Sequence, residues 1–226
     1  MNIIKGVFQS SIGKKYVVAI TGTALLGFVI VHMLGNLQIL LGMEKLNAYA
    51  LLLTHNKVFL WTFRVVLAML ALTHILTALL LAWENRAVRP TGYATGTVPY
   101  APLSARTMVI SGALILTFAI YHILHFTVGV TQPSIAHLTD PQGRHDVYRM
   151  VLLGFSHPAV AFFYILSMVL LYLHLQHGIA SIFQSLGLKN REFSGLILGF
   201  AHGVALLLLL GNSFIPIAVL TGLISS

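Results

Sequence analysis

Five long apolar runs separated by short polar joints set the pattern of this chain, at roughly 16–42, 58–83, 105–129, 157–182 and 195–221. Each has about 20 residues or more, the length a helix needs to cross the hydrocarbon core of a bilayer. The joints are plain. Glu44 to Lys57 is an amphipathic connection, and Glu84 to Ser104 holds Pro90, Pro99 and Pro102. Gln132 to Ser156 carries Asp140, Arg144, Asp146 and Arg149, and Gly187 to Arg191 is a short basic turn. Ser156-His157-Pro158 has the form of an N-cap followed by a first-turn proline. The pattern predicts an all-α integral membrane protein of one domain, residues 1–226, with five transmembrane helices: a four-helix core and a fifth, peripheral helix.

Composition agrees. The chain is 58% hydrophobic and only 8% charged, with a mean hydropathy of +0.90, whereas a soluble domain carries about a quarter charged residues. The formal charge of +8 forms no basic stripe, so no nucleic acid is expected as a partner. The cations lie in short groups between the runs, where they set topology. With the N-terminus inside, cytoplasmic segments hold eight (Lys5, Lys14, Lys15, Arg86, Arg89, Arg106, Lys189 and Arg191) and the other side five. That balance favours a cytoplasmic N-terminus. Lys5, Lys14 and Lys15 precede an apolar run too long for a cleaved signal, so it is expected to stay as the first span.

Polar rings inside these runs carry the candidate chemistry. His32, His74, His122 and His174 each fall in a different span, and neutral imidazole is a metal ligand that needs a reason to lie in hydrocarbon. Odd spans run outward and even spans inward. His32 and His122 therefore fall in the outer half, and His74 and His174 in the inner half, about 12 Å apart in depth. Two six-coordinate haems, each clamped by one pair, are the simplest chemistry to fit this. With no cysteine in the chain, thiolate-held clusters and covalent haem attachment are excluded, which leaves haem b. Small residues lie three or four positions from the rings: Gly35 and Asn36, Thr77 and Ala78, and Gly178. They would leave room for a macrocycle or serve close helix packing.

Other residues stay open between two readings. His125 and His177, each three positions beyond a candidate ligand, suit haem propionates or a quinone, or cap a carbonyl at the interface. His125 also competes with His122 as third-span ligand. Arg64 in the outer part of span two suits a propionate or reaches back to the surface, and Arg106 at the inner start of span three suits the inner propionates. His202 is expected to be structural. Gly195, Gly199 and Gly203 form a small-residue stripe expected to pack span five on the core, with a subunit contact as the second reading. Trp61 and Trp83 bracket span two as interfacial anchors. A proton-relay transporter would want a buried carboxylate, and Glu44, Glu84 and Glu192 all lie at span ends or in loops.

Several strings resemble a known family. Ser10-Ser11-Ile12-Gly13-Lys14-Lys15, Thr21-Gly22 and His32-Met33-Leu34-Gly35-Asn36-Leu37 resemble the opening of the succinate dehydrogenase cytochrome b subunit of the b558 family. So do Ser111-Gly112 with nine residues before His122, then Ile123-Leu124-His125-Phe126, and His174-Leu175-Gln176-His177-Gly178 with Leu186-Gly187-Leu188. The likeness covers all five spans. It implies a single-chain di-haem anchor of a succinate:quinone oxidoreductase or fumarate reductase in the cell inner membrane. By that likeness His32 and His122 hold a distal haem, and His74 and His174 a proximal one facing an iron–sulfur subunit that docks a flavoprotein. The Gly112 spacing favours His122 over His125. Some members carry a glutamate two residues before the fourth-span ligand; Tyr172 stands there, which puts any proton path linked to it in doubt.

The expected function is electron transfer between that iron–sulfur partner and a membrane quinone, with menaquinone suggested by the two-haem class. Quinone donors are His177 and Tyr172 on the inner side, or His125 and Tyr121 on the outer. Lys14, Lys15, Arg86, Arg89, Lys189 and Arg191 would greet an acidic partner face, helped by the Glu84–Ser104 loop. A higher oligomer of the complex stays open. The rivals are a di-haem anchor of a hydrogenase or formate dehydrogenase, and a non-redox transporter or purely structural anchor.

Overall fold

The computed structural model describes residue 8 and residues 10–87 and 107–225; Arg106, Arg89 and most of the Glu84–Ser104 loop lie outside the described residues. Five helices in it are long and apolar enough to cross a membrane. The first, α1 (Ser11–Asn36), runs on as a 3-10 turn (Leu37–Leu41). A surface helix, α2 (Met43–His55), leads to the second span, α3 (Lys57–Ala87). The third span is α4 (Met108–His122), extended by a π-helical turn over Ile123–Val128. A loop and a short helix, α5 (Val147–Phe155), precede the fourth span, α6 (Pro158–Ser185), and the fifth, α7 (Ser194–Leu220). The expected spans and the observed ones differ only by a few residues at their ends.

Local signals account for the helix starts. The Ser10 hydroxyl accepts from Gly13 N at 2.9 Å, Asn56 Oδ1 from Phe59 N at 3.0 Å, and Asp146 Oδ1 from Arg149 N at 3.0 Å. Each satisfies one of the orphan N–H groups of a first turn. The cap expected near Ser156 falls instead on His157, with Pro158 at the first helical position. Ser156 closes α5, its hydroxyl donating to Leu153 O at 2.7 Å. We call the end of the bundle that holds the start of α1 the near face, and the opposite end the far face.

α1 packs against α3 and α6, α4 against α6, and α7 along α6 while also touching α1. One core lies toward the near face between α6 and α7 (Ile179, Ala180, Ile197, Ala201). The other lies under the far cap (Ile39, Leu46, Leu152, Phe155, Ala161, Tyr164, Ile215). Span five is the best buried of the five, so a helix lying outside the four is still closely packed. Its glycine stripe does not do the packing. Gly195, Gly199 and Gly203 are exposed, and a Cβ on any of them would meet open space. Ile197, Ala201, Ala205 and Leu208 make the contact instead. Large apolar side chains such as Val58, Leu72, Leu196 and Leu207 stand well exposed along the spans, as hydrocarbon surroundings permit.

Two polar clusters tie the ends together. At the near face Lys14 is 4% exposed and ion-paired with Glu84 of α3. It was expected on a docking surface, and it is instead a buried strut between spans one and two, because an ammonium inside the helix packing needs a counter-charge. At the far face α2 and α5 form a cap whose centre is Asn47, fully buried. Its amide donates to Asp146 Oδ1 at 3.0 Å and Asp140 Oδ2 at 3.3 Å, and its oxygen accepts from Tyr148 N at 3.0 Å. Arg144 donates to Asp140 at 2.6 Å and to both oxygens of Glu44, at 2.9 and 2.7 Å.

This cap carries a pH dependence. The hydrogen bond from Arg144 holds the Glu44 carboxyl below the ordinary range. Burial pushes Asp140 up, but the bonds from Arg144 and Asn47 outweigh it and leave Asp140 below that range too. Carboxylates depressed on folding add stability above their unfolded values of about 4, and lose it as pH falls through the folded values. Melting of the purified protein is expected to fall between neutral pH and the acid side of that range. Arg144→Gln should flatten the acid limb; an unchanged limb in that variant would contradict the assignment.

Candidate cofactor-binding site

The four span histidines gather in the bundle at two levels. At the far level the rings of His32 and His122 meet edge to face, centroids 5.7 Å apart and planes at 87°. Phe28 stacks on His32 and Phe118 lies against His122. Two imidazoles bound to one metal from opposite sides, with bonds of about 2.0–2.1 Å, put their centres about 6 Å apart, so this pair suits a shared ion. One contact has to yield: Asn36 Nδ2 lies 3.1 Å from His32 Nε2, one turn along the same helix.

The near level is built differently. His74 Nδ1 lies 3.1 Å from Thr21 Oγ1 on α1, and His174 Nδ1 lies 3.2 Å from Ser111 Oγ on α4. His174 is within electrostatic reach of His74 and of His177. The next residue in each seat is glycine, and beside His74 the need is steric. A Cβ at Gly22 would stand 3.1 Å from His74 Cε1, and one at Gly112 would stand 3.5 Å from His174 Cε1. Thr21 precedes His32 by eleven residues, and Ser111 precedes His122 by eleven. Eleven residues are three turns, so on each helix the hydroxyl residue and the far histidine share a face, about 16 Å apart along the axis.

The π-helical turn separates His125 from His122. Its wider winding turns His125 into the cap, where it is 1% exposed, with Nδ1 3.0 Å from Tyr164 Oη and Nε2 3.4 Å from Gln132 Oε1. Tyr164 Oη also lies 3.4 Å from His122 Nδ1. Both nitrogens of His125 are engaged, and His122 is the ring that meets His32. His177 is half-buried with Lys189 in electrostatic reach. Tyr172 turns to the fifth span, its ring edge-on to His202 at 6.5 Å. Arg64 sits over the Trp61 ring at 5.1 Å, a cation–π contact one turn toward the far face, and makes no ion pair among the described residues. Gly35 does not open space beside His32: a Cβ there would stand 2.7 Å from Tyr49 Oη. Thr77, by contrast, is buried, and Gly178 borders open space.

Tyr164 and Asn47 have no warning in the sequence. Thr21 and Ser111 do, in the equal spacing of hydroxyl, glycine and histidine on spans one and three. As to function, the side chains on offer are four imidazoles in two pairs in a chain without cysteine, donors of the kind that hold iron where a metal is bound by histidine. Comparison with family models, with curated proteins and with solved structures finds no match to this chain.

Proposed function

We propose that this chain is the membrane anchor and cytochrome b subunit of a succinate:quinone oxidoreductase, carrying two haem b groups between an iron–sulfur subunit and a membrane quinone. The observation that carries the reading is the gathering of four histidines from four spans into two levels, with His32 and His122 ring to ring. The likeness of the Thr21-Gly22, His32–Leu37, Ser111-Gly112 and His174–Gly178 strings to the b558 family supplies the partner: an iron–sulfur subunit that in turn docks the flavoprotein where succinate is oxidised. His32 and His122 hold the far group, and His74 and His174 the near one. When bound and held by these imidazoles, haem iron would supply one-electron transfer.

The chain's own residues do the rest. They hold the rings at two depths, keep lipid and water from the metal, and hand protons to quinone at one end. His125 has both nitrogens engaged, whereas His177 is half-buried with no hydrogen bond among the described residues. This supports a quinone, menaquinone by the resemblance, near His177 at the near face. The near face is the cytoplasmic one in this reading, by the distribution of Lys and Arg, and the membrane is the cell inner membrane. With Lys14 buried, Lys15, Arg86 and Arg191 remain exposed there for an acidic partner. Arg106 is the remaining candidate for near propionates, and Arg64 for far ones by leaving Trp61.

The test is a reduced-minus-oxidised spectrum of protein made with ample haem, followed by reduction with a menaquinol analogue and identification of co-purifying subunits. A b-type α-band reducible by quinol, together with an iron–sulfur and a flavin subunit, is expected. A hydrogenase or formate dehydrogenase partner would keep the chemistry and overturn the assignment to succinate. No haem at all would leave a transporter or a structural anchor.

A further inference from the structure

The hydroxyl hydrogens at the near level reveal which form of imidazole sits there. A hydroxyl has one hydrogen to donate. That of Thr21 goes to its own helix, to Val17 O at 2.7 Å, as threonines in helices commonly do. The oxygen that faces His74 Nδ1 can then only accept, so Nδ1 must carry the hydrogen. The Val18 carbonyl lies 3.3 Å from the same hydroxyl, a second acceptor on its own helix. Ser111 offers the same arrangement: its hydroxyl oxygen lies 3.2 Å from Met108 O, an acceptor on its own helix, and 3.2 Å from His174 Nδ1. Both hydroxyl residues are buried, so water does not compete for these bonds.

We propose that Thr21-Gly22 and Ser111-Gly112 are matching tautomer locks, which hold His74 and His174 as Nδ1–H imidazoles and present two bare Nε2 lone pairs to one metal centre. The inference rests on the two-haem reading for the identity of that centre, but the lock itself is a property of the protein alone. Among the described residues no hydrogen bond reaches Nε2 of either ring. Gly22 completes its seat by letting the His74 ring lie where a Cβ would crowd it at 3.1 Å, and at Gly112 the His174 ring lies within ordinary contact of the backbone. The unit occurs twice, as hydroxyl, glycine, nine residues, histidine, so spans one and three each supply a far ligand and the clamp for a near one.

The far level has no such lock. Tyr164 is shared between His122 and His125, so its single hydrogen does not fix the form of either ring, and His32 has no hydroxyl partner among the described residues. The two levels therefore differ in kind. A hydrogen bond from Nδ1–H to oxygen makes the opposite nitrogen a stronger donor and favours ferric iron. Losing it should raise the near group's potential, loosen its ligation by about 10–100-fold, and leave the far group as internal control.

The experiment uses the full chain with Thr21→Val, Ser111→Ala and the rescue Thr21→Ser. With haem bound, the two removals should raise the midpoint potential and shift the low-spin resonance of the near haem alone, and Thr21→Ser should restore both. Near-haem signals unmoved in both removals, or movement of the far signals instead, would overturn the proposal. In the haem-free protein, ring-nitrogen NMR should find Nδ1 protonated and Nε2 bare in His74 and His174, with the preference lost in Thr21→Val and Ser111→Ala. Mixed tautomers in the parent chain would overturn the lock whatever the cofactor. A locked tautomer in a chain that takes up no haem would instead overturn the function proposed above.

Discussion

Replacing His74 or His174 by alanine is expected to remove one haem from the protein and spare the other, halving the α-band. The reason is geometric. In the proposed assignment the near ligands come from spans two and four, whose rings touch Thr21 and Ser111, whereas the far ones come from spans one and three, whose rings meet directly. Nothing in the far pair leans on the near rings, so the loss should not spread. His32→Ala or His122→Ala should give the mirror result, removing the far signal. Spectroelectrochemistry on the four variants checks this. Removal of both haems by His74→Ala, in protein that still folds to its normal melting point, would mean that the levels are not separate sites.

The second large effect is expected at Asn47. This side chain is fully buried and serves three partners at once: the Tyr148 backbone N–H and the Asp140 and Asp146 carboxylates. Asn47→Ala leaves that N–H without an acceptor and both carboxylates short of a donor. An unmet buried polar group costs about 1–3 kcal/mol, so the cap should be weakened by about 3 kcal/mol. The cap covers the cluster in which Phe155 and Tyr164 pack, so far-haem retention should fall with stability while the near haem stays. Denaturant or thermal unfolding in detergent measures it. A loss below about 0.5 kcal/mol, the range of ordinary surface changes, would show that the network is not what closes the far end.

The spans were legible because hydrocarbon imposes a length and a composition that few other environments do, and observed and expected boundaries agree to a few residues. Counting along alternating spans paired His32 with His122, and their rings do meet. What periodicity could not show was where a helix leaves its ideal winding. The π-helical turn after His122 carries no glycine or proline to announce it, yet it decides that His125 enters the cap. Long-range polar pairing was equally hidden: Asn47 and Asp146 are ninety-nine residues apart. Lys14 read as a topology signal and proved to be a buried partner of Glu84, since charge counting does not tell which lysine points inward. The glycines of span five read as a packing stripe, but nearby Ala201 and Ala205 do that work, small residues that the same spacing rule fits equally well.

Those differences touch the ends and the outside of the bundle; the interior reading turns on what the four imidazoles hold. Pyridine haemochrome analysis of the purified chain, set against its protein concentration, counts that directly. Two haem b per chain is the predicted result, falling to one when a single near or far ligand is replaced. A chain that purifies folded, from cells supplied with haem, and carries none would contradict the account.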